Sequence, residues 1–351
     1  MPLHDPSPQR PDEITAGWLR TVLGDTTGDA TFDGFDVEEV GDGLLTTVVR
    51  IGLHWDRDEV EPKSLIVKLP SLLETNRMIN QQFGYDQREV GTYSHLSAHL
   101  GEWAPFCHHA EVGPLGACIV LDDARDHRVA DQLRGATESD SDAIAIAAAA
   151  VHAAAWNAVD LKTHNFLPGP TSPVVAGYRD LFSMTWPIFT EMIGEHISGA
   201  QADRALAAME RFDVVLADFA QAPNTLLHGD LRLDNVLFSQ HDGQALLIDW
   251  QLAAWGRGVY DLAFYTAGSV EPSSIAVAEH IIDVYHHHLC ANGVADYSRH
   301  QAWADFRSGH IMNLPNPVTA LVGVKTTTKR AHDLLIANAR RALGWIEILE
   351  L

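Results

Sequence analysis

The stretch Leu226-Leu227-His228-Gly229-Asp230-Leu231-Arg232-Leu233-Asp234-Asn235-Val236-Leu237-Phe238, followed by Leu246-Leu247-Ile248-Asp249-Trp250-Gln251, decides how this chain is read. Two short apolar runs frame a set of polar residues, and Asp242-Gly243 between them is a turn signal. A hairpin centred on that dipeptide places Asn235 opposite Trp250, one step from Asp249, so an amide oxygen and a carboxylate can reach one ion. Both are hard ligands suited to Mg²⁺, which keeps several waters and takes further ligands from substrate phosphates. Asp230, five residues before Asn235 in a loop, stays available as a base.

Working outward toward the amino end, Val37 to Leu53 reads as a strand, a Gly41-Asp42-Gly43 turn and a second strand. On that second strand Leu45, Thr47, Val49, Ile51 and Leu53 share one face. Ser64 to Leu69 is a β-branched strand with Lys68 inside it, and Ile79, Phe83, Val90, Tyr93, Leu96 and Leu100 follow at helical spacing, with Glu89 on that helix. Segments around 110–112 and 117–121 read as further strands, and a polar stretch from Asp122 to Asp142 ends the pattern. Beyond it helical signals dominate: Ala143 to Trp156, Tyr178 to Ile197, Asp203 to Gln221, and several more after Ser273. The expected division is a lead-in over 1–36, a small β-rich lobe over 37–121 and a larger helical lobe over 122–351.

Composition narrows the function. With 351 residues, 46% apolar and 20% charged, the chain is an ordinary globular one. Its 24 basic against 47 acidic residues give a formal net charge of -23, which repels a phosphate backbone and argues against nucleic-acid binding. Cys107, Cys118 and Cys290 form no CxxC pair and are too few for a disulfide framework, which points to a reducing, cytoplasmic setting. Met1 to Pro11 has no apolar centre of the secretory kind, and the most apolar run, Ala143 to Trp156, is shorter than the roughly 20 residues a bilayer crossing requires, so neither export nor a membrane span is expected.

His-Gly-Asp-x4-Asn at 228–235 followed by Ile-Asp-Trp-Gln at 248–251 resembles the aminoglycoside phosphotransferase and choline kinase superfamily. Leu-Asp-Asp at 121–123, Val-His-Ala-Ala-Ala-Trp at 151–156, Asp-Trp-Gln at 249–251 and Tyr-Asp-Leu-Ala-Phe at 260–264 are most similar to its ecdysteroid-kinase-like branch. The resemblance implies an α+β, bilobal, protein-kinase-like fold and an ATP- and Mg²⁺-dependent transfer of the γ-phosphoryl group to a hydroxyl of a small molecule. Asp230 would then orient the acceptor hydroxyl and accept its proton, while Asn235 and Asp249 hold Mg²⁺. Lys68 matches the strand lysine that meets the α- and β-phosphates, and Glu89 the helix acid that holds it. Gly41 and Gly43 with Thr46 or Thr47 would approach the phosphates, although the loop lacks the third glycine of a protein-kinase loop. Backbone at Asp122 to Ala124 would meet the adenine edge, with His228 and Asp261 as supporting groups.

Taken singly these residues have plainer explanations: Lys68 as an edge-strand charge, Glu89 as a solvated surface acid, Asp230 and Asp234 as turn formers. It is their order along the chain that points to phosphoryl transfer. A non-catalytic nucleotide-binding scaffold is the main rival reading, and a protein kinase is disfavoured because only 11 residues separate Asp249 from Asp261. The charge of -23 favours a cationic acceptor, whereas the branch resemblance favours a neutral alcohol such as a sterol. Trp186, Trp255 and Trp303 are candidate acceptor-pocket residues, with packing the plainer role; His286-His287-His288 and His108-His109 are not expected to bind a metal.

Overall fold

The computed structural model describes residues 6–24, 30, 32–40, 45–57, 59–324 and 328–351. Gly41 and Gly43 lie outside the described residues. The chain divides into two compact units, Met1–Ala98 with Ala104–Arg125, and His99–Trp103 with Asp126–Leu351.

The first unit is an antiparallel sheet of β1 (Phe32–Glu39), β2 (Thr46–Trp55), β3 (Ser64–Pro70), β4 (Cys107–Val112) and β5 (Ala117–Asp122), in the order β1-β2-β3-β5-β4. The period-two pattern of β2 does what it should: Val49, Ile51 and Leu53 are buried with Leu65, Val67, Leu69 and Val120 in one core. β3 is central, so Lys68, paired with Val48 on one side and Ile119 on the other, is no edge-strand charge. Residues set apart by their prolines as a lead-in join this core. Helix α1 (Ala16–Leu23), capped by the Thr15 side chain on Trp18 N–H, buries Trp18, Leu19 and Leu23 there, and Phe32 of β1 adds to it. The single helix expected after β3 is two, α2 (Glu74–Phe83) and α3 (Tyr85–His95), because Gly84 turns left-handed at φ 68° between them. Ile79 and Phe83 on α2 are accordingly exposed, while Tyr93 on α3 is buried.

The second unit is mainly helical. α4 (Glu138–Ala154) begins five residues before the apolar run, at a capping box between Thr137 and Asp140. α5 (Tyr178–Ile193), α6 (Gly199–Glu210) and α7 (Phe212–Phe219) follow, the last two separate where one helix was expected. A two-stranded pair of β6 (Thr225–Leu227) with Ala254–Gly256 flanks the quoted loop, and the hairpin β7 (Val236–Ser239) and β8 (Ala245–Leu247) follows the loop. α8 (Val259–Ser269), α9 (Ile275–Ala291), α10 (Arg299–Asn313), α11 (Pro315–Gly323) and α12 (Lys329–Ile348) complete the unit. Phe182, Phe189 and Phe212 share a core with Ile311, Val318 and Leu343, which ties α5 and α7 to the carboxyl-terminal helices. Trp186 belongs to that core, stacked between Phe182 and Phe189. No helix among the described residues is long and apolar enough to cross a membrane.

Candidate active site

In the first unit Lys68 Nζ donates to both Glu89 oxygens, at 2.6 and 2.7 Å, and both side chains are buried. Glu89 is therefore no solvated surface acid. Asp86, one turn earlier on α3, is a second buried carboxyl near Lys68; burial raises its pKa above the usual range, against the pull of the Ala117 N–H and the lysine charge. Thr46 opens β2 opposite Pro70. Asp122 ends β5 with its side chain on His108, whereas Asp123 is the buried anchor, accepting from Arg50 Nε at 2.7 Å, Ser64 Oγ at 2.6 Å and Arg125 Nε at 3.1 Å. Burial alone would raise the Asp123 pKa, but these partners prevail and hold it low. Ala124 is half-buried beside it, and the first unit ends at Arg125.

In the second unit the loop after β6 is fixed from below. Gly229 sits at φ 79°, and a Cβ there would lie 2.0 Å from the Leu252 carbonyl oxygen, so no side chain fits. Asp261, near the start of α8, accepts from His228 N–H at 2.7 Å with Oδ2 and from Gly229 N–H at 3.0 Å with Oδ1. His228 Nδ1 accepts from Asp230 N–H at 3.3 Å, which leaves Nε2 to donate to the Ile248 carbonyl at 2.9 Å. One imidazole thus joins the Asp230 loop to the residue before Asp249. Behind Asp261 stand His152 of α4, with Nε2 at 3.2 Å from Asp261 Oδ2, and Tyr285 of α9, with its hydroxyl 3.0 Å from His152 Nδ1. Burial pushes the Tyr285 phenol well up, so it stays protonated and donates to Nδ1, and His152 Nε2–H donates to the carboxylate. Gly258 permits this approach, since a Cβ there would meet the Tyr285 hydroxyl at 2.6 Å and His152 Nδ1 at 2.8 Å.

Asn235 donates from Nδ2 to both the Asp230 backbone oxygen and Asp230 Oδ2, each at 2.9 Å, so its carbonyl oxygen is the atom that could meet a cation. The hairpin register differs from the sequence expectation. Val236 pairs with Leu247, and Ile248 N–H donates to the Asn235 carbonyl at 3.0 Å, so Asn235 comes opposite Ile248 and not Trp250. The reason is the turn: the pairing centres it between His241 and Asp242, and Gly243, at φ 76°, lies past that centre. Asp249 still follows directly, in a left-handed conformation (φ 70°, ψ 67°) that Asp tolerates better than most residues, with Oδ2 accepting from Gln251 at 3.2 Å. An amide oxygen and a carboxylate set at one end of the hairpin, with Asn235 opposite Ile248 and Asp249 next to it, fit a hard divalent cation such as Mg²⁺, which needs few protein ligands when phosphates supply the rest.

Arg232, inside the quoted stretch but given no role by its spacing, donates from Nε to Asp230 Oδ2 at 3.2 Å and from Nη1 to Asp234 Oδ2 at 3.4 Å. The charge of Asp230, opposed by burial and joined by Asp234 and Asp249, keeps the guanidinium even more firmly protonated than usual. Trp255 has Lys162 Nζ 4.6 Å from its ring centroid, and Trp303 stacks on Phe306 with Arg299 also over the ring, so each ring already has a protein partner. Between Asp249 and Asp261 the chain makes one 3-10 turn, Trp250–Leu252, and the strand Ala254–Gly256 before α8 begins.

A central-strand lysine held by a helix glutamate in one unit, and a braced His-Gly-Asp loop with a following Asn and Asp in a helical unit, define the kinase-like α+β class. The chain belongs to the ecdysteroid kinase-like family, whose model matches residues 40–293. It is similar in fold to a protein assigned as an aminoglycoside phosphotransferase from Ralstonia eutropha JMP134, at 13% identity and a TM-score of 0.57, covering 95% of this chain and 97% of that one. Choline kinase from Cryptosporidium parvum Iowa II is similar at 12% identity and a TM-score of 0.56, over 95% of this chain and 91% of that one. Amicoumacin kinase, in a complex with AMP-PNP and Ca²⁺, is similar at 14% identity and a TM-score of 0.51, over 88% and 87% of the two chains. A comparison with curated proteins finds no match.

Proposed function

We propose that this chain is an ATP- and Mg²⁺-dependent phosphotransferase that moves the γ-phosphoryl group to a hydroxyl of a small molecule. The observation that carries the reading is the Asp230 carboxylate, fixed through its backbone by His228 and through Oδ2 by Asn235, beside the residue that leads into Asp249. Because Oδ2 already takes the Asn235 and Arg232 donors, Oδ1 is the oxygen left to accept the acceptor hydroxyl proton. That proton passes to Asp230 as the acceptor oxygen bonds to the γ-phosphorus, and the bond from phosphorus to the β,γ-bridging oxygen breaks with its electron pair staying on ADP. Asn235 and Asp249 would hold Mg²⁺, which when bound offsets the charge of the phosphate oxygens. Lys68, kept in place by Glu89, would meet the α- and β-phosphates.

The short path from Asp249 to Asp261 leaves no length for a regulated activation segment, which supports a small-molecule acceptor over a protein. A cytoplasmic setting and an acceptor without nucleic-acid or membrane character follow from the same reading. ADP release, followed by a coupled assay over a panel of cationic and neutral alcohols, tests it. An active acceptor should lose about a hundredfold to ten-thousandfold in turnover with Asp230→Ala, while nucleotide affinity holds. Inertness of the wild-type chain across the panel would favour the non-catalytic scaffold.

A further inference from the structure

The loop that carries Asp230 and Asn235 is held by α8 at both of its ends. Asp261, in the first turn of α8, takes the N–H groups of His228 and Gly229. Ser269, the last residue of the same helix, accepts the Leu233 N–H with its hydroxyl oxygen at 3.0 Å, and both residues are fully buried. Eight residues at 1.5 Å each set the two anchors about 12 Å apart. Asp230 follows the first anchor directly. Asn235 lies just past the second, at the end of the 3-10 turn Leu233–Asn235.

The second anchor is fastened from the carboxyl-terminal helix. α8 has no basic residue in its last turn, so the negative end of its dipole has no cation of its own. Arg341 of α12, which is 1% exposed, supplies one. Its Nη1 donates to the Gly268 carbonyl at 3.0 Å and to that of Gln132 at 2.8 Å, its Nη2 to that of Leu133 at 3.0 Å, and its Nε to Glu271 Oε1 at 2.6 Å. Around it the Ser269 carbonyl takes the Ala136 N–H at 2.8 Å, and the Val270 carbonyl takes Trp345 Nε1–H at 3.0 Å. A buried guanidinium is costly unless its donors are used, and here all three nitrogens close on the segments that hold Ser269 in place. Arg341 lies beyond residue 293, where the family match ends.

We propose that Ser269 and Arg341 are positioning residues for Asn235: they fix the metal-side end of the loop, as Asp261 fixes the end that leads into Asp230. This rests on the phosphotransferase reading, in which Asn235 holds Mg²⁺, and extends it to the carboxyl-terminal helix. Without the Ser269 oxygen the Leu233 N–H is left buried and unpaired, and the turn that presents Asn235 must loosen to find another acceptor. Groups that hold a metal ligand in place are worth about tenfold to a hundredfold in metal affinity or activity.

Hydrogen–deuterium exchange of the full chain without ligand, read by mass spectrometry, compares wild type, Ser269→Ala and Arg341→Lys. In Ser269→Ala the amides from Leu233 to Asn235 should exchange about threefold to tenfold faster, the weight of one hydrogen bond, with those of His228 and Gly229 within about twofold of wild type. Arg341→Lys, which keeps the charge but cannot reach four oxygens, should show the same selective change. Calorimetry with Mg²⁺-AMP-PNP should give an affinity about tenfold lower in Ser269→Ala. With an active acceptor, KM for Mg²⁺-ATP should rise about tenfold while kcat falls no more than about threefold, the reverse of the change expected when Asp261 is replaced. Residues that merely support the fold would speed exchange at both ends of the loop alike. That result, unchanged exchange at Leu233, or an unchanged affinity for Mg²⁺-AMP-PNP would overturn the proposal. Should Arg341→Lys fail to fold, Glu271→Gln, which loosens the guanidinium from its half-exposed partner, should give the same selective change. A wild-type chain that binds no Mg²⁺-AMP-PNP would overturn the phosphotransferase reading together with this proposal, whereas nucleotide binding without selective exchange in the variants would remove this proposal alone.

Discussion

Replacing Asp261 by Asn changes one atom of a side chain that is about 1% exposed, and the structure gives its consequence. The carboxylate takes three donors: His228 N–H at 2.7 Å, Gly229 N–H at 3.0 Å and His152 Nε2–H at 3.2 Å. An amide has one oxygen, so its NH₂ must face at least one of these N–H groups. The milder orientation keeps the oxygen toward His228 and His152 and sets NH₂ against Gly229 N–H. A hydrogen bond to a charged group is worth about 1.5–3 kcal/mol, and a buried donor left unpaired costs about 1–3 kcal/mol; allowing for overlap, Asp261→Asn should destabilise by about 2–4 kcal/mol. At roughly 2–4 °C per kcal/mol for a unit of this size, scanning fluorimetry should show a melting point lower by roughly 5–15 °C. Because Asp230 is the next residue after Gly229, the same change displaces the proposed base, and on that reading a displacement of about 1 Å should lower turnover about a hundredfold. A melting point within about 1 °C of wild type with turnover within about twofold would refute the argument that Asp261 sets the loop.

Two further outcomes are expected. Lys68→Met and Glu89→Leu should each destabilise by about 3–5 kcal/mol, since each strands a buried charge, while the double variant should recover most of that stability and still bind nucleotide poorly; urea titration with calorimetry checks both, and an additive double variant would show the pair is not coupled. Asp123 has a folded pKa held below its unfolded value, so its stabilisation is present above the unfolded value and is lost as pH falls through the folded one. Asp123→Asn should therefore lower the urea midpoint at about pH 7 and flatten its decline below about pH 4; an unchanged decline would exclude Asp123 as a contributor.

How far the sequence could be read depends on the range over which each contact acts. Val49, Ile51 and Leu53 showed their face because strand alternation is local, and the order of Lys68, Glu89, Asp230, Asn235 and Asp249 carried the class of fold through resemblance. Neither spacing nor pattern could show that Lys68 touches Glu89 across 21 positions, or that His152 reaches Asp261 across 109. Local signals also misled where they were ambiguous. Prolines near the amino end suggested a lead-in, yet Trp18 and Leu19 are core. Asp242-Gly243 named a turn correctly but not which loop position Gly243 fills, and that displaced Asn235 by two partners. Arg232 stood in the most informative stretch, but the partners of a long flexible side chain are not fixed by its number.

The amide at position 235 is a compromise with a consequence of its own. A second acid there would grip a cation more strongly, but it would have no N–H to offer Asp230 and would push that carboxylate away. On the proposed reading a neutral ligand gives up standing affinity for a steady base, so the ion should arrive and depart as part of its nucleotide complex, and dialysis against a chelator should leave the folded protein intact.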